Sequence, residues 1–349
     1  MTTMRDVALR CGVSVKTVSR VFNEDPYVSA ETRERVLRAM RESNYVPNLL
    51  ARTFRSGRDT AIAIAVPDLS DPFFATLTHA VEQVAHQRGV AVVIASMGYE
   101  PEDEQPAMEA LLHRMVVGAI ATPISDDQSY LKRWQHKTPL VFVDRTPTGI
   151  VADSIVSDDH GGGVAATRHL LAHGHTSLAF VGDTLNVQTT RRRLQAYQSV
   201  LLGAGMSESA NSVVLGGTSS SEMARSFVAF LRESHEPTAI FSSNARCTIG
   251  LIPVLQSLGR SDMALVGFGD FPLSGSVKPA ISFIEQDPVR LGRAAALRLF
   301  QRLDTPNRRL KRQVMLDVEL VACGSGEQPP ARRSAKARRR YTAVDLEPA

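Results

Sequence analysis

The sequence predicts a small all-α head followed by an α/β body of two doubly wound parallel-sheet subdomains. Three observations predict it. Apolar residues in the first 47 positions recur at helical spacing around a glycine turn. Past residue 60, apolar runs of four to six residues alternate with amphipathic stretches, and this alternation occurs in two successive series. Charge divides the chain at the same place. Residues 1–60 carry 11 Lys and Arg against 7 Asp and Glu, and residues 324–349 carry 6 against 3. The whole chain is only +4, so the stretch between them is net negative by 3. A basic head on a mildly acidic body points to a polyanion partner for the head, most commonly nucleic acid.

Within the head, MRDVALR (residues 4–10) is amphipathic, with Val7 and Ala8 on one side and Asp6 and Arg10 on the other. Cys11-Gly12 stops it, because glycine tolerates the turn. Ser14 is placed to cap a second helix over Val15 to Phe22, where Val18, Val21 and Phe22 repeat at helical spacing. Helix, glycine turn, helix is the helix-turn-helix plan, whose second helix enters the DNA major groove. Val15, Lys16 and Arg20 would point outward from it. Lys16 and Arg20 suit guanine O6/N7 or phosphate, and Val15 suits a thymine methyl. Thr17 and Ser19 are placed for phosphate oxygens, and Asn23 closes the same motif. Ser29 opens a third helix whose inner stripe reads Val36, Leu37 and Met40. Residues 48–59 are apolar and basic rather than Gly/Ser-rich, so a slack linker is not expected.

The body's first series places strands at AIAIAV (61–66), AVVIA (91–95), GAIAT (118–122) and LVFVD (140–144). Helical stretches near 73–88, 102–115 and 127–136 separate them. The second series has SLAFVG (177–182), SVVL (212–215), AIFSS (239–243) and ALVGF (264–268), with helices near 161–173, 189–204, 221–234 and 246–258. Continuous apolar strands separated by helices mean parallel sheets covered on both faces, with a ligand at the carboxyl ends of the strands. Two such sheets would hold that ligand in the cleft between them.

Enzyme signatures are missing: there is no G-x-x-x-x-G-K-[ST], H-E-x-x-H or G-x-S-x-G, and no cofactor is expected. VGFGD (266–270) follows a strand but lacks the third glycine and the lysine of a phosphate cradle. His169, His173 and His175 could pair on a metal, or simply close a helix C-terminus. No apolar run approaches the ~20 residues of a membrane span. The N-terminus lacks a secretory apolar core, and Cys11, Cys247 and Cys323 form no framework, so a reduced cytoplasmic setting is expected. After Pro329-Pro330 the chain becomes ARRSAKARRRYTAV, a basic arm that either adds DNA attraction or stays idle.

The stretch from Met4 to Arg58 resembles the DNA-binding head of the lac repressor (LacI/GalR) family of bacterial transcription regulators. The resemblance rests on V-A-x-x-x-G-V-S-x-x-T-V-S-R-V-x-N, then V-S-x-E-T-R-x-R-V, then Y-x-P-N-x-x-A-R, all in order. It implies a sequence-specific regulator, a repressor in the usual case. Such a protein binds palindromic operator DNA as a homodimer, with a tetramer also open, under allosteric control of a small molecule. For the linker it implies a short helix over 48–55 that forms on operator DNA. Phe54 would stand where a leucine usually wedges the central base step, with Arg52 and Arg55 at phosphates or the groove. Phe54 could instead pack between linker and body.

The body resembles the periplasmic sugar-binding proteins, whose chain crosses three times between subdomains. That implies a head over 1–47, a linker over 48–59 and an effector-binding body over 60–324. Subdomain one would comprise about 60–158 and 286–316, subdomain two about 159–285 and 317–324, and 325–349 would be a disordered tail. The late helix near 288–303 would then return to subdomain one. Effector residues carried over on this basis are Ser70, Phe73, Phe74, Asp144, Arg145, Arg193, Asn244, Arg246, Gly269 and Gln286. Phe73 and Phe74 could stack on a sugar face or merely cap a helix. Two departures stand out: the family's A-N-D has become Asn244-Ala245, and its V-G-[FY]-D-[DN] has become VGFGD, with Gly269 for the acid. Losing carboxylates while gaining Arg246 turns the cleft from neutral polyols toward a sugar acid or sugar phosphate. A decayed effector site is the alternative.

Overall fold

The computed structural model describes residues 4–22, 25, 27–43, 61–114, 116–216, 220–233 and 237–330. The chain divides into two units, Met1–Asp59 and Thr60–Ala349. In the first, helices α1 (Met4–Cys11), α2 (Val15–Phe22) and α3 (Ala30–Glu42) follow in order. Gly12 makes the turn at φ +65°, in the left-handed region that favours glycine. Ser14 Oγ accepts the Thr17 amide at 3.0 Å and Ser29 Oγ accepts the Thr32 amide, so both serines cap as their spacing predicts. The core joins Val7, Ala8 and Cys11 to Val18, Val21, Val36, Ala39 and Met40. Leu37 is 38% exposed, a correction to the predicted inner stripe. Residues three and four apart share a helix face, so Val36 pairs with Ala39 and Met40, and Leu37 turns outward.

The second unit holds two six-stranded sheets. The first has the order β11-β5-β4-β3-β1-β2, all parallel: β1 Ala61–Val66, β2 Ala91–Ser96, β3 Ala119–Ala121, β4 Leu140–Val143, β5 Asp153–Ser157 and β11 Gln313–Leu316. The second has the order β12-β10-β9-β8-β6-β7: β6 Leu178–Gly182, β7 Val213–Leu215, β8 Ala239–Ser242, β9 Ala264–Phe268, β10 Ser282–Glu285 and β12 Glu319–Val321. Its strands are parallel except β12, which runs antiparallel to β10. Alternation within β1 shows why helices cover both faces. Ile62, Ile64 and Val66 join one core with Phe74, Leu77 and Leu299, while Ala63 and Ala65 join the other with Met97 and Met108.

The helix Pro288–Asp304 packs on the first sheet beside the helix Pro72–Gln87, and Gly292 permits the close approach of the two helices. A Cβ there would lie 2.3 Å from the Leu77 carbonyl oxygen. The chain passes from the first sheet to the second after β5, returns after β10, and passes over again between β11 and β12. The stretch near 127–136, expected as one helix, divides into a 3-10 turn (Ser129–Leu131) and a short helix (Lys132–Gln135). Residues 325–330, assigned to the tail from sequence, are packed. Ser325 is buried, its amide donates to Ala280 O at 2.9 Å, and its Oγ accepts the Ser282 amide at 2.8 Å. A serine satisfying strand-end backbone groups carries no apolar signature, which is why composition placed it outside. The basic arm from residue 331 lies outside the described residues.

Candidate functional site

On α2, Val15 is 40% exposed, Lys16 and Arg20 are exposed, and Thr17 and Ser19 are half-buried. The Thr17 hydroxyl is 2.9 Å from Ser14 Oγ, so it serves the cap as well as any phosphate. Arg20 Nε lies 3.5 Å from Asp25, an exposed pair easily exchanged for a nucleic-acid acceptor. Tyr27, which sequence reading passed over, is 92% exposed ahead of α3. Asn23, Arg52, Phe54 and Arg55 lie outside the described residues.

The second candidate site is a cleft of about 490 Å³ at the carboxyl ends of the strands of both sheets. Phe73, Phe74, Asp144, Arg145, Arg193, Asn244, Arg246, Gly269 and Gln286 all line it. Ser70 does not: it is exposed on the turn where its amide donates to Asp68. Asp71, at the strand end near Phe73, also lines it, as do Tyr99 and Asp183, neither of which was picked from sequence. The signal for Asp183 was its place, directly after the strand LAFVG. Phe73 and Phe74 meet edge to face with centroids 5.1 Å apart, and Phe74 also belongs to the core.

Arginines and carboxylates alternate through this cleft. Arg193, expected as the main ligand contact, is largely committed to the protein. Its Nε and Nη2 donate to Asp159 Oδ1 at 2.9 and 2.6 Å, and its Nη1 donates to Ser243 O at 2.6 Å. Its guanidinium also lies 3.5 Å over the Phe268 ring. A guanidinium this buried needs such partners. Burial raises the Asp159 carboxyl to about 6, against the pull of Arg193. Burial likewise raises Asp144, opposed by Arg145, whose Nε lies 3.3 Å from it. Asp144 sits at φ 70°, a left-handed conformation that a non-glycine residue holds only under surrounding constraint.

Arg246 stacks 4.1 Å over the Tyr99 ring and donates through Nη2 to Asp183 Oδ2 at 3.0 Å. Asp183 is saturated: Oδ1 accepts from Thr190 and the Thr184 amide, and Oδ2 also accepts from Asn244. Asn244 caps the helix Ala245–Ser257 through Cys247 N at 2.8 Å, so both ends of its amide are engaged. Asp71 caps Pro72–Gln87 through the Phe73 amide, and burial raises its carboxyl too. Arg145 Nε, Arg246 Nη1 and the Tyr99 hydroxyl have no hydrogen-bond partner, and on the acceptor side neither has Asp159 Oδ2. Gly269 takes φ +89°, and a Cβ there would stand 3.0 Å from Gln286 Oε1. The side-chain amide of Gln286 thus approaches the place where the lost carboxylate's side chain would begin.

Direct bonds cross the cleft. Gln188 Oε1 accepts from the Thr146 amide and hydroxyl, both at 3.0 Å, and Gln188 Nε2 donates to Thr146 O at 3.3 Å. Arg191 donates to Asp126 at 3.3 Å. Gln188 sits between Val187 and Thr189, both of which line the cleft. The histidines are otherwise occupied. His169 bonds Glu327, His173 Nδ1 bonds His169 O, and His175 bonds Thr238 and Gln328 O. Among the described residues no group of three or more His, Cys, Asp or Glu is placed to hold a metal, and no helix is long and apolar enough to cross a membrane.

Comparison with known proteins matches "Bacterial regulatory proteins, lacI family" over residues 3–48. "Periplasmic binding proteins and sugar binding domain of LacI family" matches over residues 59–321. The HTH-type transcriptional regulator DegA of Bacillus subtilis (strain 168) is 30% identical over 327 residues, covering 92% of this chain and 96% of DegA. The HTH-type transcriptional repressor PurR of Haemophilus influenzae (strain PittEE) is 28% identical over 325 residues, covering 91% and 96%. Among solved structures, the lac repressor dimer bound to operator and the anti-inducer ONPF superposes with a TM-score of 0.82 at 28% identity, covering 93% of this chain and 99% of that one. The complex of the regulator CelR with cellobiose has a TM-score of 0.68 at 26% identity, covering 93% and 100%.

Proposed function

Because the chain belongs to the LacI family of DNA-binding transcription repressors, which carry a sugar-binding effector domain, we propose that its cleft takes a small anionic effector, a sugar acid or sugar phosphate. One observation carries this reading. Asp183 spends both oxygens on protein donors, while Arg246 Nη1 and the Tyr99 hydroxyl have no hydrogen-bond partner and Arg145 Nε has only the Asp144 carboxylate 3.3 Å away. Buried donors without acceptors are costly, and a ligand rich in charged acceptor oxygens relieves that cost. Phe73 and Phe74 would flank the sugar face. Arg193 acts from beneath, holding Asp159 and the Ser243 carbonyl, with its remaining N–H groups toward the ligand.

On this reading Val15, Lys16 and Arg20 read base edges, Thr17, Ser19 and Asn23 position the backbone, and Arg52, Phe54 and Arg55 work in the minor groove. The protein acts as a dimer on a two-fold operator. The head spans 1–47, the linker 48–59 and the effector body 60–330, and effector binding changes operator affinity by shifting the two sheets of the body. A thermal-shift panel of neutral hexoses, sugar acids and sugar phosphates tests it. A bound ligand at a hundred times its Kd stabilises by about 2.7 kcal/mol. Stabilisation by neutral hexoses alone overturns the acidic assignment; no response to any class favours a decayed site.

A further inference from the structure

The first sheet is wholly parallel, so its six strands all begin at one edge, opposite the cleft. The segments feeding three of those strands carry exposed basic residues. Arg114 precedes β3 and Lys137 precedes β4, both exposed. The loop 305–312, which precedes β11, carries Arg308, Arg309, Lys311 and Arg312, all exposed. Composition does not explain this, because the body between residues 61 and 323 is net negative by 3. Among the described residues, Arg114, Lys137, Arg308, Arg309 and Lys311 have no ion-pair partner within 4.0 Å.

The loop is also built to hold its shape. Asp153, 1% exposed at the start of β5, takes Arg302 at 2.6 and 3.0 Å and Arg312 at 3.3 Å, with Arg298 at 3.6 Å. Two of these guanidiniums also grip the loop backbone: Arg298 donates to Lys311 O at 2.7 Å and Arg302 to Arg308 O at 2.8 Å. One buried carboxylate thus anchors three arginines, which fix the loop while its outer side chains stay free in solvent. A pinned loop spends less conformational entropy when it meets a partner. β1 also begins on this edge, at Ala61.

We propose that this edge of the body is a second DNA-contact surface, in which Arg308, Arg309 and Lys311, with Arg114 and Lys137, meet backbone phosphates beyond those held by the head. It rests on the reading that the head binds duplex DNA. Exposed, unpaired Lys and Arg on a fixed backbone suit phosphate, a sequence-independent acceptor whose neutralisation releases counterions.

The test measures binding of the full chain to a random-sequence DNA duplex about 40 base pairs long by fluorescence anisotropy, from about 50 to 200 mM KCl. In R308Q/R309Q/K311Q the slope of log affinity against log salt becomes shallower by about 2 to 3, at roughly 0.9 per lost contact, and binding at the low-salt end weakens. R114Q/K137Q, on separate segments, gives a smaller change in the same direction. All five side chains are exposed, so the melting temperature of each variant should match wild type; a set that melts early is set aside and the other decides. Unchanged slopes in a folded variant while the wild type binds overturn this surface alone. A wild type that binds no duplex at low salt overturns the DNA reading on which it rests.

Discussion

Each arginine in the cleft has a different degree of freedom, and mutation should separate them. Arg246 is partly exposed, shares Asp183 with Asn244, and leaves Nη1 unpaired. Arg246→Gln should therefore fold normally and weaken a sugar acid by roughly 10- to 100-fold, the worth of a hydrogen bond to a charged group, about 1.5–3 kcal/mol. Isothermal titration calorimetry reads this directly, and unaltered affinity removes Arg246 from the site. Gly269→Asp is the opposite experiment. The family's usual acid meets φ +89° and Gln286 Oε1 at 3.0 Å, so it should cost about 1–3 kcal/mol of stability instead of restoring a polyol site. A melting temperature equal to wild type would refute that strain. Titration gives a third test. Asp71, Asp144 and Asp159 are all raised by burial, Asp159 to about 6. With its folded value above the unfolded one, Asp159 holds an extra proton in the native state between about pH 4 and 6, so its contribution makes stability fall as pH rises through that window, and Asp71 and Asp144 act in the same direction. An anion beside these groups favours their protonated forms. Affinity for a sugar carboxylate, which keeps its own charge here, should thus be tighter near pH 5.5 than at about pH 7.5. Weaker binding at the acid end would count against an anionic ligand.

Elements differ in how much of themselves they disclose. All eight apolar runs read from the sequence became strands; six are buried along their length, which needs an unbroken apolar stretch, while β2 and β7 are edge strands with exposed positions. The four strands that escaped are β5, β10, β11 and β12. β5 (DSIVS) is fully buried, yet it starts and ends in polar residues, and Asp153 is tolerated only because arginines from distant segments reach it. β11 and β12 are short edge strands with exposed positions, which resemble loops in composition. The cleft followed the same rule. Arg193 and Arg246 were legible by matching the family's motifs, but their partners Asp159 and Asp183 were not. Which carboxylate meets which arginine is settled by packing between elements, and sequence spacing does not encode it. Residues 325–330 show what such hidden pairing is worth. Ser325 closes hydrogen bonds to Leu265, Ala280 and Ser282, and Glu327 meets His169 and Ser282. At about 1 kcal/mol for each net bond, a chain ending at Gly324 should lose about 2–4 kcal/mol relative to one ending at Pro330. Equal urea midpoints for the two truncations would reduce this segment to a passive strap.

At the scale of the whole body, the two sheets are joined by covalent crossings, by the three bonds between Gln188 and Thr146, and by the contacts of Arg192 with Thr146 and Arg191 with Asp126. The two bonds that Gln188 Oε1 accepts are the shortest of these links and hold the cleft's two sides together. Gln188 is not among the lining residues, so its substitution changes the closure equilibrium without removing a ligand contact. A ligand shifts a two-state equilibrium only by its differential affinity for the two states, and it has less to shift where closure is already populated. Gln188→Ala removes about 1–2 kcal/mol of closure, which fixes the direction of two measurements. Effector affinity should fall by roughly 5- to 30-fold, because binding must now supply the closure that Gln188 supplied. The fold-change in DNA affinity on saturating with effector should become larger than in wild type, because the ligand-free variant starts from a more open population. Anisotropy titrations with labelled duplex, with and without effector, give both numbers. If affinity falls while the effector's fold-change stays the same, closure of this cleft is not the equilibrium that the DNA senses, and the coupling must run through some other rearrangement of the sheets.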